Sequence, residues 1–149
     1  MNLGIYIPNF NNISQLAGLC TMINKSLQGG LIKDASLFYD SIGHMPIKLN
    51  CGLFNSTDIW NFRGKLITTT LDGTVSATNI TNNSKIYYYY GWEQRPNVLD
   101  LIYALSKNIN LICRDTEDDQ YLKRVTGTNP LGISSNFENI LSLIGDSNG

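Results

Sequence analysis

The chain has little of what builds metal and redox sites: one histidine and three cysteines, with no cysteine pair at metal-ligand spacing. Cys20, Cys51 and Cys113 lie far apart in apolar stretches, so they read as reduced, buried thiols in a reducing compartment, and a zinc site is not expected. The sequence calls for no metal and no cofactor. Also missing is any apolar run near the ~20 residues of a membrane span, and residues 1–10, MNLGIYIPNF, lack the basic start and apolar centre of a secretory signal. A cytoplasmic protein without a membrane partner is therefore expected. Charge of either sign is sparse: 11 basic residues against 12 acidic ones give a net charge of −1. That balance removes the general attraction to phosphate backbones on which non-specific binding rests, so nucleic acid is not an expected partner.

Several motifs are absent as well. After the first apolar run the chain reads IPNFNNIS, where a dinucleotide-binding turn would carry G-x-G-x-x-G. There is no G-x-x-x-x-G-K-[ST] for a phosphate loop and no G-x-S-x-G for a hydrolase elbow. The acidic pair that a phospho-receiver domain needs after its first strand is missing too.

What is present is a sequence of 149 residues with 42% hydrophobic and 15% charged side chains, enough to bury one core without staples. Residues 1–145 read as one domain and 146–149 as a frayed tail. Asn, Ile, Tyr and Lys, all encoded by AT-rich codons, are frequent, which points to an AT-rich bacterial or viral genome; for a viral chain the compartment is the host cytoplasm.

Short apolar runs alternate with segments of helical spacing, the pattern of successive strand–helix–strand units. Strands are expected at Leu3 to Ile7, Ala35 to Tyr39, Pro46 to Cys51, Lys65 to Thr70, Lys85 to Tyr90, Asn110 to Cys113 and Leu131 to Ile133. Ile13, Leu16, Leu19, Cys20, Ile23 and Leu27 keep helical spacing up to Gly29-Gly30. Further helices are expected after Ser56-Thr57-Asp58 as far as Gly64, over Thr74 to Asn82, from Asn97 through Lys107, over Glu117 to Val125 and over Phe137 to Ile144. The expected fold class is α/β: a single Rossmann-like three-layer domain with a mostly parallel sheet of five to seven strands.

In such a sheet, ligands bind outside the carboxyl ends of the strands. The residues that follow the expected strands include Asn9, Asn11, Asp40, His44, Asp72, Trp92, Glu93, Arg95, Arg114 and Ser135. Arginine suits a phosphate or carboxylate because its planar fork donates bidentately. Any parallel α/β domain also fills these loops with ordinary polar and capping residues. The run Tyr87-Tyr88-Tyr89-Tyr90-Gly91-Trp92 alternates rings between the two sheet faces. Tyr90 and Trp92 at its end are candidates to stack on a flat or sugar-ring ligand that Glu93 or Arg95 would orient. His44 is a candidate general base, although a hydrogen-bonded or exposed loop histidine is the reading such a position favours. Cys113, beside Arg114, has no histidine partner placed by the sequence and reads as a buried thiol. The aromatic surplus, including Trp60 and Phe62, suits a homodimer face.

The segments CGLFNSTDIWNFRGKLITTT, KIYYYYGWEQRPNVLDLIYAL, INLICRDTEDDQYLKRVTG and PLGISSNFENI, in that order, resemble small glycosyltransferase-like proteins of tailed bacteriophages. In those proteins a Tyr-rich strand runs into a Trp-Glu turn and a later strand ends in arginine. The resemblance covers roughly residues 50–140 and implies a nucleotide-sugar-type ligand near Trp92, Glu93 and Arg114. Catalytic use of the crevice, with His44 and Glu93 as candidates, and Asn9, Asn11, Asp40, Tyr90, Trp92, Arg95 and Arg114 as ligand contacts, is one expectation. A non-catalytic accessory protein that sequesters a nucleotide-like ligand or binds a host protein is the other.

Overall fold

The inner strands of the computed structural model, which describes residues 1–80, 84–92 and 96–146, carry buried apolar residues on both faces, as a parallel sheet covered on both sides requires. The strands are β1 (Asn2–Tyr6), β2 (Asp34–Tyr39), β3 (Gly52–Asn55), β4 (Gly64–Thr68), β5 (Ser84–Tyr90), β6 (Ile109–Cys113) and β7 (Gly132–Ile133). All pair in parallel, in the order β3-β2-β1-β4-β5-β6-β7. Five helices, α1 (Ile13–Gln28), α2 (Leu71–Ile80), α3 (Val98–Leu105), α4 (Thr116–Thr126) and α5 (Phe137–Asp146), and a 3-10 helix at Ser56–Asn61 complete the described residues. This is the Rossmann-like three-layer α/β domain expected from the pattern.

Helices α1 and α5 cover one face, where Leu16, Leu19, Ile140 and Ile144 meet Leu3, Ile5, Tyr87 and Tyr89. On the other face α2, α3 and α4 meet Tyr88, Tyr90, Leu111 and Cys113 through Leu71, Leu101 and Leu122. The 3-10 helix adds Ile59 over Tyr6, Phe38 and Leu66. The tyrosine run thus splits between the layers as its alternation predicts.

Three local expectations are corrected. Pro46 to Cys51 forms no strand, because Asn24 occupies its backbone: Asn24 Nδ2 donates to the Lys48 carbonyl at 2.8 Å and Asn24 Oδ1 accepts the Asn50 N–H at 2.8 Å. The third strand follows at Gly52–Asn55. The short helix expected after Ser56-Thr57-Asp58 is of the 3-10 kind, and its cap is Asn55, whose Oδ1 accepts the Thr57 N–H at 3.0 Å. Helix α2 starts at Leu71 rather than Thr74, since Thr70 Oγ1 accepts the Gly73 N–H at 3.1 Å and caps the first turn. Helix α5 reaches Asp146, and 147–149, with most of the expected frayed tail, lie outside the described residues.

Candidate functional site

Strand β1 pairs with β2 on one side and β4 on the other, so the chain steps outward in opposite directions from this pair. Loops that leave neighbouring strands in opposite directions open a crevice at their carboxyl ends. A cleft of about 260 Å³ lies there, lined by Tyr6, Pro8, Asp40, Thr70, Asp72 and Ser76. The loops around it are tied together: the Asp40 and Ser41 N–H groups donate to the Pro8 carbonyl at 3.0 and 2.9 Å, and Thr69 Oγ1 donates to the Tyr6 carbonyl at 2.9 Å.

Tyr6 Oη lies 2.8 Å from both carboxylate oxygens of Asp40, and the Ser56 hydroxyl also donates to Asp40. Burial, then the bond to Asp40 and its charge, push the Tyr6 phenol up to about 12. Tyr6 is therefore a fixed donor at neutral pH and not a base. With Asp40 and Asp72 on its wall and no Lys or Arg among its described lining residues, the cleft offers acceptors suited to hydroxyl donors.

A second cleft, of about 370 Å³, lies on the other face, between α1 and the turn into α5. Ser14, Gln15 and Gly18 of α1 form one wall, and Arg114, Ser135 and Asn136 the other. Tyr89 and Phe137 close it off from below, their rings stacked with centroids 5.1 Å apart, and Tyr89 Oη donates to the Ser134 carbonyl at 2.9 Å. Burial raises the Tyr89 pKa, opposed by the Arg114 guanidinium.

The structure therefore places the sequence candidates apart. Asp40 and Asp72 belong to the first cleft, Arg114 and Ser135 to the second. Asn9 and Asn11 close an exposed turn on each other, the Asn11 N–H donating to Asn9 Oδ1 at 3.1 Å, and line neither cleft. His44 is exposed in the β2–β3 connection and lines neither. Tyr90 is buried edge-on to Tyr88, and Trp92 is buried against Phe137 with centroids 5.4 Å apart. Both rings already have aromatic neighbours: Tyr88 lies two residues before Tyr90 on β5, and α5 brings Phe137 to Trp92. Glu93 and Arg95 lie outside the described residues.

Sequence reasoning missed Tyr6, Thr70 and Ser76 in the first cleft and Ser14, Gln15, Gly18 and Asn136 in the second. The available signals were the position of Tyr6 at the end of the first strand and a glycine inside a helical pattern. Cys113 is held as a thiol, pushed up to about 12 by burial first and then by Asp119, Asp118 and Asp115. Among the described residues no three His, Cys, Asp or Glu side chains group to hold a metal, and no helix is long and apolar enough to cross a membrane. Comparison of the chain with protein-family models, with curated proteins and with solved structures finds no match.

Proposed function

We propose that this is a glycosyltransferase-like protein that binds a nucleotide-sugar-type ligand at the carboxyl end of its sheet, with sugar or ribose hydroxyls on Asp40. The observation that carries this reading is the position of Asp40. It follows β2, beside the β1–β4 switch point, where dinucleotide-binding folds carry the acidic residue that reads a ribose diol. Its carboxylate is oriented in advance by Tyr6 and Ser56, so little ordering is left for a ligand to impose. The resemblance to phage glycosyltransferase-like proteins supplies the sugar-nucleotide class but not the position, since it implies a ligand near Trp92, Glu93 and Arg114, and neither Trp92 nor Arg114 lines this cleft.

Binding is better supported than transfer. Tyr6 is held protonated, and His44 lies outside the cleft, so neither serves there as a base. The test is calorimetric titration of the full chain with nucleoside diphosphate sugars, free nucleotides and cyclic dinucleotides. A nucleotide sugar should bind, and Asp40→Asn should weaken it by about tenfold or more, the scale of one charged hydrogen bond. The reading fails if no ligand binds or if Asp40→Asn binds as the parent does.

A further inference from the structure

We propose that the cleft between α1 and α5 is a separate oxyanion site for a phosphate-type group, gripped by Arg114. Its described lining carries one cation, Arg114, with the neutral donors Ser14, Gln15, Ser135 and Asn136, and no carboxylate. The cleft on the opposite face has the reverse character, with Asp40 and Asp72 and no cation. In a chain with 11 basic and 12 acidic residues, this separation of charge gives the two clefts different ligand chemistry. A planar guanidinium surrounded by uncharged donors suits a phosphate oxyanion.

Two backbone features keep the site open. Gly91, at the end of β5, has φ +147°, and a Cβ there would lie 2.8 Å from Arg114 Cβ, so glycine leaves room for the arginine stem. Gly18 lies inside α1, where glycine is unfavourable, yet a Cβ at this position would meet nothing within 4 Å. Packing does not require glycine at 18; a side chain there would extend into the cleft. Asp115 Oδ1 accepts the Asp118 N–H at 2.8 Å and caps α4; neither carboxylate lines the cleft, while the charges of both reach Tyr89 on its wall.

The probe is inorganic pyrophosphate, titrated calorimetrically into the full chain at constant ionic strength. It should bind the parent, and Arg114→Gln should weaken it by about tenfold or more. Gly18→Leu should weaken it equally while leaving the unliganded melting temperature no lower than that of the parent. Asp40→Asn should bind it as the parent does, which makes this result independent of the nucleotide-sugar reading. The proposal is overturned if pyrophosphate gives no more heat than chloride of equal ionic strength, or if Arg114→Gln or Gly18→Leu keeps parental affinity. An equal loss in Asp40→Asn would merge the two sites and overturn it as well.

Discussion

Tyr6 and Asp40 illustrate how a buried donor acquires a pH signature. The Tyr6 side chain bonds both oxygens of Asp40 at 2.8 Å, and burial with that carboxylate pushes the phenol up from 10 to about 12. The folded state therefore holds the phenolic proton more tightly than the unfolded chain, so the contribution is complete below pH 10 and is lost as pH rises to about 12. Tyr6→Phe should flatten the fall in stability across that window in urea unfolding curves. At neutral pH it should cost about 1.5–3 kcal/mol, the value of a hydrogen bond to a charged group. A parental alkaline slope in Tyr6→Phe would refute this assignment. The cysteines follow the same sign: burial first raises all three, Cys51 to about 11 and Cys113 to about 12. Because the thiolate is the reactive form, no thiol should titrate promptly with an aromatic disulfide reagent in the native protein near neutral pH, and all three should after denaturation. Cys20 and Cys113 are buried and Cys51, against the sequence expectation, is half-buried; prompt reaction of a native thiol would contradict the upward shift that all three share.

At the scale of elements, stability at the helix starts rests on short polar side chains. Asn97 Oδ1 accepts the Leu99 N–H at 2.8 Å and the Asp100 N–H at 3.4 Å at the start of α3. Asn97→Ala should therefore lower unfolding free energy by about 1 kcal/mol, read as a lower urea midpoint with an unchanged slope. In α1, Gly18→Ala should raise it by about 0.5–1 kcal/mol, because the added Cβ meets nothing; a lower midpoint would show that the position is more crowded than its geometry. These caps explain which elements were legible in the sequence. Asn97 stands directly before a helical pattern, and that helix starts where the pattern says. The Asn24 clamp on residues 48–50 joins positions far apart in sequence, so no local pattern reveals that Pro46 to Cys51 is barred from pairing. The tyrosine run was legible as a strand with alternating faces. That Tyr90 is buried under α3 and α4, and that Trp92 meets Phe137 of α5, depends on helices arriving from later in the chain.

For the whole molecule, the strand order sets where stability is concentrated, and both clefts lie at the ends of inner strands. Alternation of strands and helices made the parallel sheet legible, and with it the rule that ligands gather at the carboxyl ends. The division of the polar residues between two clefts was not legible, because it depends on which face each helix covers. Strands β4 and β5 lie inside the sheet, and Leu66, Ile67, Thr68, Tyr87 and Tyr88 are all 0% exposed. Strand β3 lies at one edge, with all four of its residues exposed, including Leu53 and Phe54. Amide exchange follows local opening, which ranges from nearly free at mobile edges to the full unfolding energy in a core. The amides of β4 and β5 should therefore exchange slowest, at the rate of global unfolding, and those of β3 faster by about two orders of magnitude or more, a difference of roughly 3 kcal/mol. Hydrogen exchange read at a low and a high protein concentration also tests whether β3 is covered. A free edge exchanges at the same rate at both. If β3 slows as concentration rises while β5 does not change, its exposed Leu53 and Phe54 are meeting a second copy. Protection of β3 equal to that of β5 at both concentrations would contradict the edge assignment.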